Sequence, residues 1–397
     1  MKNGIDIVVV SIACHTAINR SVYKEFIDRG ISVLLIVPTE LIFSSGSVRA
    51  DPPSVDDPLI EYMDLNGSNS RLCRFIGITN TLNRYRPKLI VLDNDPISVM
   101  ALQIGLWAKI NKASLFCISC ENMSLEFLAS YRRRGLKGIP FSVFKRLLLS
   151  ATRKLVHGVF TINNEGTEVF KKEGFPNVRK IPLGFDPKYF RVDLDARKFI
   201  RSELGLRGFV IGFFGRIVYE KGVHILIEAL EKLVDHKWTL LIDEFDIYNN
   251  KYGEDIHRRL LNFGLIERVV SINPKHDEMG DFINSVDVVV MPSVSTPIWI
   301  EQYGRIAAEA MACGKVVVAS DSGALPILLN GYGILFEEGD VDSLVTILEK
   351  LMNYSPSHDY SFIHNAEVIS TYAHEKLSVQ KQMEQMLSLF EEANVLS

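Results

Sequence analysis

The chain has 397 residues, 47% hydrophobic and 23% charged, with a formal net charge of −4. That length calls for two domains with sizeable cores, and the composition excludes a disordered or fibrous chain. No 18-residue stretch is free of charge, which excludes a membrane-spanning helix, and five cysteines, an odd number, argue for a reduced cytoplasmic protein and against a disulfide scaffold.

The opening MKNGIDIVVVSIACHT reads as a strand with an early Asp6, without the basic start and small-residue cleavage site of a signal peptide. Ile5–Ile12 is a buried strand, a helix follows to about Gly30, and Ser32–Val37 is a second strand. Residues 38–68, rich in Pro, Ser, Asp and Gly, read as a long loop. A helix near 70–86, strand Leu89–Leu92, helix 97–110 and strand Ser114–Ser119 continue the alternation. Strand–helix alternation of this kind builds a parallel sheet with helices on both faces.

Tyr131 to His157 departs from that pattern. It holds Arg132, Arg133, Arg134, Lys137, Lys145, Arg146, Arg153 and Lys154, and no acid falls between Glu126 and Glu165. Interleaved Ile139, Phe141, Phe144, Leu147, Leu148 and Leu149 make it a basic amphipathic segment. It is either a solvated face over core leucines or, through residues 132–154, a docking surface for an anionic membrane. No nucleic-acid-binding module is visible, and none is expected as a partner.

After strand Val159–Ile162 and a helix from Asn164 to about Glu173, Leu183-Gly184-Phe185-Asp186-Pro187 reads as a linker. It separates a domain at 1–186 from one at 187–372, with a final amphipathic helix at about 373–392. The two halves differ in charge: residues 1–186 hold 24 Lys+Arg against 17 Asp+Glu, and residues 187–397 hold 20 against 31. The second half alternates again, through strands Phe209–Phe214, Trp238–Ile242, Val269–Ile272, Val288–Met291, Val316–Ala319 and Gly333–Phe336.

The densest chemistry lies between Asp287 and Pro326. A buried strand ends in Pro292-Ser293, a long loop runs to Glu301, Gly304–Cys313 has helical composition, and Gly314 stops it. Glu301 and Glu309 stand eight residues apart. On helical spacing both face one way, about 12 Å apart along the axis, which suits one elongated ligand gripped at two points. Small apolar residues around Glu309 indicate a packed helix. A helix that starts where a parallel strand ends is also where ligands and phosphate bind. Upstream, Arg216 and Lys221 lie five apart across a strand-to-helix turn, with Gly215 and Gly222 letting backbone approach an anion.

These blocks carry a resemblance. The glutamate-x7-glutamate stretch, FFGRIVYEKGVHILIEAL at 213–230, VRKIPLGFDPKYF at 178–190, DSGALPILL and GYGILFEEGDVDSL occur in the order found in retaining nucleotide-sugar glycosyltransferases of family 4. Residues 178–345 are well covered, and the first 177 match only in general pattern. The resemblance implies an α/β GT-B fold: two doubly wound Rossmann-like domains facing a central cleft, with the C-terminal helix crossing back to the N-terminal domain.

It further implies a hexosyltransferase acting with retention and without a metal. The donor is a nucleoside-diphosphate sugar bound by the second domain, and the acceptor a glycan or lipid-linked glycan bound by the first, in surface polysaccharide assembly. By the same resemblance Gly215, Arg216 and Lys221 hold the diphosphate. Glu309 takes the ribose hydroxyls, and Glu301, helped by Tyr303, Gly304 and Arg305, takes the transferred sugar. Asn273 and Lys275 stand where the base is contacted. Cys120-Glu121-Asn122 occupies the place of the family's N-domain histidine, which makes Glu121 a candidate catalytic group; His15 stands where relatives carry a glycine-rich loop. A nucleotide-sugar epimerase and a non-catalytic nucleotide-sugar-binding protein are the alternatives.

Two cheaper signals point elsewhere. Asp93-Asn94-Asp95 has metal-motif spacing but lies at a strand end before Pro96 and reads as a turn. Cys117-x-x-Cys120 has no second pair, and strand alternation sends its thiols to opposite faces.

Overall fold

A computed structural model of the chain describes residues 4–43, 46–67, 71–125, 139–245, 250–353 and 365–396. It comprises two compact units. One is Met1–Asp186 together with Val379–Ser397; the other is Pro187–Ser378.

The first unit is built on seven parallel strands: β1 (Ile7–Ser11), β2 (Val33–Pro38), β3 (Leu59–Met63), β4 (Leu89–Asp93), β5 (Ser114–Ser119), β6 (Gly158–Thr161) and β7 (Val178–Lys180). Their order is β7-β6-β5-β4-β1-β2-β3. Successive strand side chains point to opposite faces, and here both faces are covered. Val8, Val10, Leu34, Ile36, Ile90 and Leu92 enter one core cluster. Ile7, Val9, Val33, Leu35, Leu89 and Val91 enter another. That is why these strands read as continuous apolar runs.

Helices α1 (Ser21–Asp28), α2 (Ile78–Tyr85), α3 (Val99–Asn111), α4 (Ile139–Thr152) and α5 (Asn164–Lys172) connect the strands. Ser98 and Asn163 cap α3 and α5 by accepting from Ala101 N (3.1 Å) and Gly166 N (2.6 Å).

Several expectations for this unit are corrected. Residues 38–68 are not one loop: Glu40–Phe43 pairs antiparallel with Gly46–Arg49, and β3 adds an edge strand beside β2. The segment between them is lashed down by the buried Arg20, which donates to the carbonyls of Asp51 and Pro52 and pairs with Asp57 at 2.8 Å. The helix near 70–86 is only α2, because Arg74–Phe75 pairs with Leu65–Asn66 and Gly77 is left-handed at φ 79°. Two 3-10 turns, Ala13–His15 and Ala17–Arg20, precede α1.

The second unit has six parallel strands: β8 (Phe209–Phe213), β9 (Trp238–Asp243), β10 (Val269–Ile272), β11 (Val288–Met291), β12 (Val316–Ser320) and β13 (Ile334–Phe336). They run in the order β10-β9-β8-β11-β12-β13. Around them lie α6 (Leu194–Glu203), α7 (Val223–Lys232), α8 (Lys251–Asn262), α9 (Met279–Ser285), α10 (Arg305–Ala312), α11 (Leu325–Leu329), α12 (Val341–Met352) and α13 (Ala366–Leu377). Apolar faces of α7, α8 and α12 join β8, β9 and β11 in one core.

The final helix is in fact two. Ser378 is extended (φ −79°, ψ 164°) and ends α13, and α14 (Val379–Glu392) starts with Val379 N bonded to Phe185 O at 3.0 Å. Helix α14 belongs to the first unit, where Met383, Met386, Leu389 and Phe390 complete a core. Phe390 meets Phe116 and Phe160 edge-on, with ring centroids 5.0 and 5.6 Å away. Among the described residues no helix is long and apolar enough to cross a membrane.

Candidate functional site

In an open parallel sheet the connections leave in opposite directions at one point, and the strand ends there frame a crevice. In the second unit that point lies between β8 and β11, which pair through Ile211–Val288 and Gly212–Val289. Beyond β8 the chain passes Gly215 and Arg216 and makes a 3-10 turn at Tyr219–Lys221. Gly222, at φ 68°, then opens α7, and a Cβ there would collide with the Pro292 carbonyl beyond β11. The two loops are also tied by Val294 N donating to Glu220 O at 2.8 Å.

This close approach brings Lys221 to Glu301. Lys221 Nζ lies 2.6 Å from Glu301 Oε2, and Ser293 Oγ donates to the same oxygen at 3.0 Å. Trp299 places its ring under Lys221 Nζ, 5.1 Å from the centroid. Glu301 is only 5% exposed, and its backbone oxygen accepts from Ala324 N at 3.0 Å. A buried carboxylate with an ammonium on one oxygen is stable in this position. Arg216 is exposed.

Glu301 does not share a helix with Glu309. Gly304, left-handed at φ 90°, makes Arg305 the first residue of α10, so Glu301 lies in the loop and only Glu309 is helical. The axial-spacing argument therefore fails. Glu309 is 1% exposed; its Oε1 accepts from His276 Nε2 at 2.9 Å, and its Oε2 has no hydrogen-bond partner among the described residues. Tyr303 is buried and Arg305 half-buried at the start of α10. Asn273 and Lys275 are exposed beyond β10; Asn273 Nδ2 donates to Glu244 Oε2 at 3.0 Å, and the Lys275 amide to Glu278 Oε2 at 3.0 Å.

Sequence reasoning missed four neighbours of this site: Asp243, His276, Ser293 and Trp299. Asp243, at the end of β9, accepts from Gly215 N at 2.7 Å. Burial pushes its carboxyl up to about 6, only partly offset by that amide. Its position at the end of a strand was the available signal; its nearness to Gly215, 28 residues away, was not. His276 had none, because its partner lies 33 residues away.

In the first unit the equivalent point lies between β1 and β4. Ser11 Oγ donates to Asp93 Oδ2 at 2.7 Å across it. Glu121, just beyond β5, sits in an ionic cluster. Its Oε2 takes Arg71 at 2.9 Å and Lys145 at 3.4 Å, and its Oε1 takes the Met123 amide at 3.1 Å. Arg71 also pairs with Asp95 at 3.3 Å, which accepts from Ser119 Oγ. Burial opposes ionisation of Glu121, but Lys145 and Arg71 prevail and hold its carboxyl below the usual range. Burial brings Lys145 down to about 8 against the pull of Glu121. His15 is engaged locally, with Nδ1 at 3.1 Å from Ile12 O and Nε2 at 3.3 Å from Thr16 Oγ1.

The basic segment is thus partly corrected. Lys145 faces inward, Arg146 pairs with Glu173 at 2.9 Å, and Arg153 donates to the Glu173 carbonyl at 3.0 Å. Arg132, Arg133, Arg134 and Lys137 lie outside the described residues. Among the described residues, no group of three or more His, Cys, Asp or Glu side chains could hold a metal ion. Cys117 is buried and Cys120 exposed, and neither is in a disulfide.

Residues 196–368 match the profile of the family described as glycosyl transferases group 1. D-inositol 3-phosphate glycosyltransferase of Corynebacterium jeikeium is 31% identical over 206 residues, covering 47% of this chain and 48% of that protein. The capsular polysaccharide biosynthesis glycosyltransferase CapM of Staphylococcus aureus is 26% identical over 211 residues, 52% of each. The aligned part thus spans about half the length of these curated relatives. Anabaena Alr3699/HepE, solved in complex with UDP and glucose, superposes with a TM-score of 0.71 at 18% identity, over 98% of this chain and 99% of its own. That likeness establishes the fold as GT-B.

Proposed function

We propose that this chain, whose residues 196–368 belong to the glycosyl transferases group 1 family, moves a sugar from a nucleoside-diphosphate sugar to a glycan or lipid-linked acceptor. The second unit takes the donor and the first the acceptor. The observation that carries this reading is the Lys221–Glu301 pair, 2.6 Å apart at the β8/β11 strand ends. The likeness to a protein crystallised with UDP and glucose supports a nucleotide donor.

The chemistry follows from what each group can offer. Departure of a nucleoside diphosphate leaves negative charge on its terminal phosphate. Lys221, the exposed Arg216 and the amides at the start of α10 supply positive potential there, which is what a metal-independent reaction needs. Without donor, Lys221 neutralises the buried Glu301. With donor, Lys221 turns to the diphosphate while the Glu301 carboxylate accepts hydroxyl hydrogens of the transferred sugar. Each charge exchanges one partner for another, so neither is left buried alone. Glu309, through Oε2, accepts from the ribose. The acceptor attacks from the face the diphosphate leaves and hands its proton to the departing phosphate, giving retention. No pair of carboxyls spaced as in a glycosidase is required. In the first unit Glu121, held charged by Arg71 and Lys145, lies on the acceptor side.

A lipid-linked acceptor calls for a bilayer surface, and the first unit offers one face suited to it. Helices α3 and α4 pack on the same core cluster and expose Leu106, Ile110 (80%), Val143, Phe144 and Leu147 (66%). Lys109, Lys112 and Lys154 are exposed with them. No acid occurs between Asp95 and Glu121, or between Glu126 and Glu165. Apolar side chains amid cations suit an anionic lipid surface.

The decisive test is transfer with purified protein after thermal-shift screening of UDP-, GDP-, ADP- and dTDP-sugars. Lys221→Ala and Glu301→Ala should each lower kcat/KM by about 100-fold or more while leaving the fold intact. Turnover equal to wild type would refute the assignment. Sugar released as an epimer without acceptor would show an epimerase.

A further inference from the structure

Glu309 is the most buried carboxylate near the proposed donor site, and its two oxygens are treated differently. Oε1 is 2.9 Å from His276 Nε2; Oε2 has no partner among the described residues. A buried carboxylate oxygen without a donor is costly and calls for one from outside the chain. Helix α10 fixes the Glu309 backbone, and the contact from His276 sets how the carboxylate is turned about its last torsion. A carboxylate can only accept, so the contact to Oε1 is an N–H donated by the imidazole.

That imidazole is well placed to fix the torsion. His276 follows β10 and precedes α9, and its ring lies against Phe190, with centroids 5.8 Å apart and tilted by 59°. It is held by packing on one side and by Glu309 on the other. The side chain is 29% exposed, so it stands at the edge of the site and not within the core.

We infer that His276 is a positioning residue for nucleotide recognition: it holds Glu309 Oε1 so that Oε2 is presented to a ribose hydroxyl. The inference rests on the reading of Glu309 as the ribose acceptor. It assigns the ribo-over-deoxyribo preference of the donor site jointly to Glu309, which touches the sugar, and to His276, which does not. It also connects the loop after β10, which carries Asn273 and Lys275, to the ribose end of the nucleotide.

Calorimetry on the full chain tests this. The probes are UDP, GDP and ADP, each paired with its 2′-deoxy and 3′-deoxy counterpart, and the tightest ribonucleotide is carried forward. Wild type should prefer that ribonucleotide over at least one deoxy form by about tenfold, the value of one hydrogen bond to a carboxylate. His276→Leu keeps the packing on Phe190 but cannot donate; it should weaken ribonucleotide binding and leave the deoxy form almost unaffected, so the preference collapses. His276→Gln, which can donate an amide N–H from a similar position, should recover most of it. Unfolding temperatures of both variants report any loss of fold, and the glutamine variant keeps the test alive if leucine is not tolerated.

A His276→Leu protein that retains the full preference, while Glu309→Leu loses it, overturns the positioning role and leaves Glu309 as the ribose contact. A preference that survives Glu309→Leu, which has no acceptor, overturns the reading of Glu309 itself. Equal weakening of ribo and deoxy forms in His276→Leu also overturns the inference, because it indicates a packing role alone.

Discussion

Asp243 meets the Gly215 amide with one carboxylate oxygen, and its other oxygen has no partner among the described residues. Its carboxyl, raised by burial to about 6 from an ordinary 3.8, binds a proton on folding between those values. Its contribution to stability is therefore fully present below about pH 4 and is lost as the pH climbs through 6. Asparagine keeps an acceptor for Gly215 and removes the buried charge. Asp243→Asn should be more stable than wild type at pH 7 by on the order of 1–2 kcal/mol, with little difference at pH 4. Denaturant unfolding at the two pH values measures this, and equal stability at pH 7 would contradict it. Glu121 runs the opposite way, since Lys145 and Arg71 lower its carboxyl. Two half-buried carboxyls at strand ends thus differ because one has cations within reach and the other has only an amide.

At the scale of elements, the turn from β8 into α7 depends on Gly222. Its φ of 68° is disfavoured for any side chain, and its Cα faces the Pro292 carbonyl too closely for a methyl group. Gly222→Ala should cost ~3 kcal/mol or more by strain and displacement of the β11 loop. It should also weaken nucleotide binding, because Lys221 is the adjacent residue. Urea unfolding and calorimetry with a nucleoside diphosphate read the two effects, and a neutral alanine would mean the loops separate easily. Edge strand β3 illustrates the opposite situation. Its residues are half-exposed on both faces, so it lacks the apolar run that marks β1 or β11. The Pro- and Asp-rich stretch before it hides it further. What holds that stretch is the fully buried Arg20, 31 to 37 residues upstream of its partners Asp51, Pro52 and Asp57, and no local pattern reveals that.

For the molecule as a whole, the surface proposed to face a bilayer is a property of two helices, α3 and α4, that lie apart in sequence and pack on one core cluster in the first unit. Sedimentation should find the protein with vesicles containing phosphatidylglycerol at low salt and not with phosphatidylcholine alone. Ile110→Ser with Leu147→Ser should weaken this association without touching nucleotide binding in the second unit. No binding to anionic vesicles at low salt would sink the proposal. Self-association relieved by the same substitutions would show that the face is an interface between copies instead.

The doubly wound GT-B architecture was legible in the order of the residues, because apolar runs and helix signals are local and alternate through most of the chain, residues 38–68 and 131–157 excepted. So was the nearness of Arg216 to Lys221, which only five residue steps along the chain separate. Pairing between remote side chains was not. Lys221 meets Glu301 80 residues on, His276 meets Glu309, and Lys145 turns inward to Glu121 although its segment reads as basic and amphipathic without an acid. Local periodicity encodes which side of an element is buried. Which charges then meet depends on strand order and on how closely two loops approach at a strand end, and only the folded chain decides that.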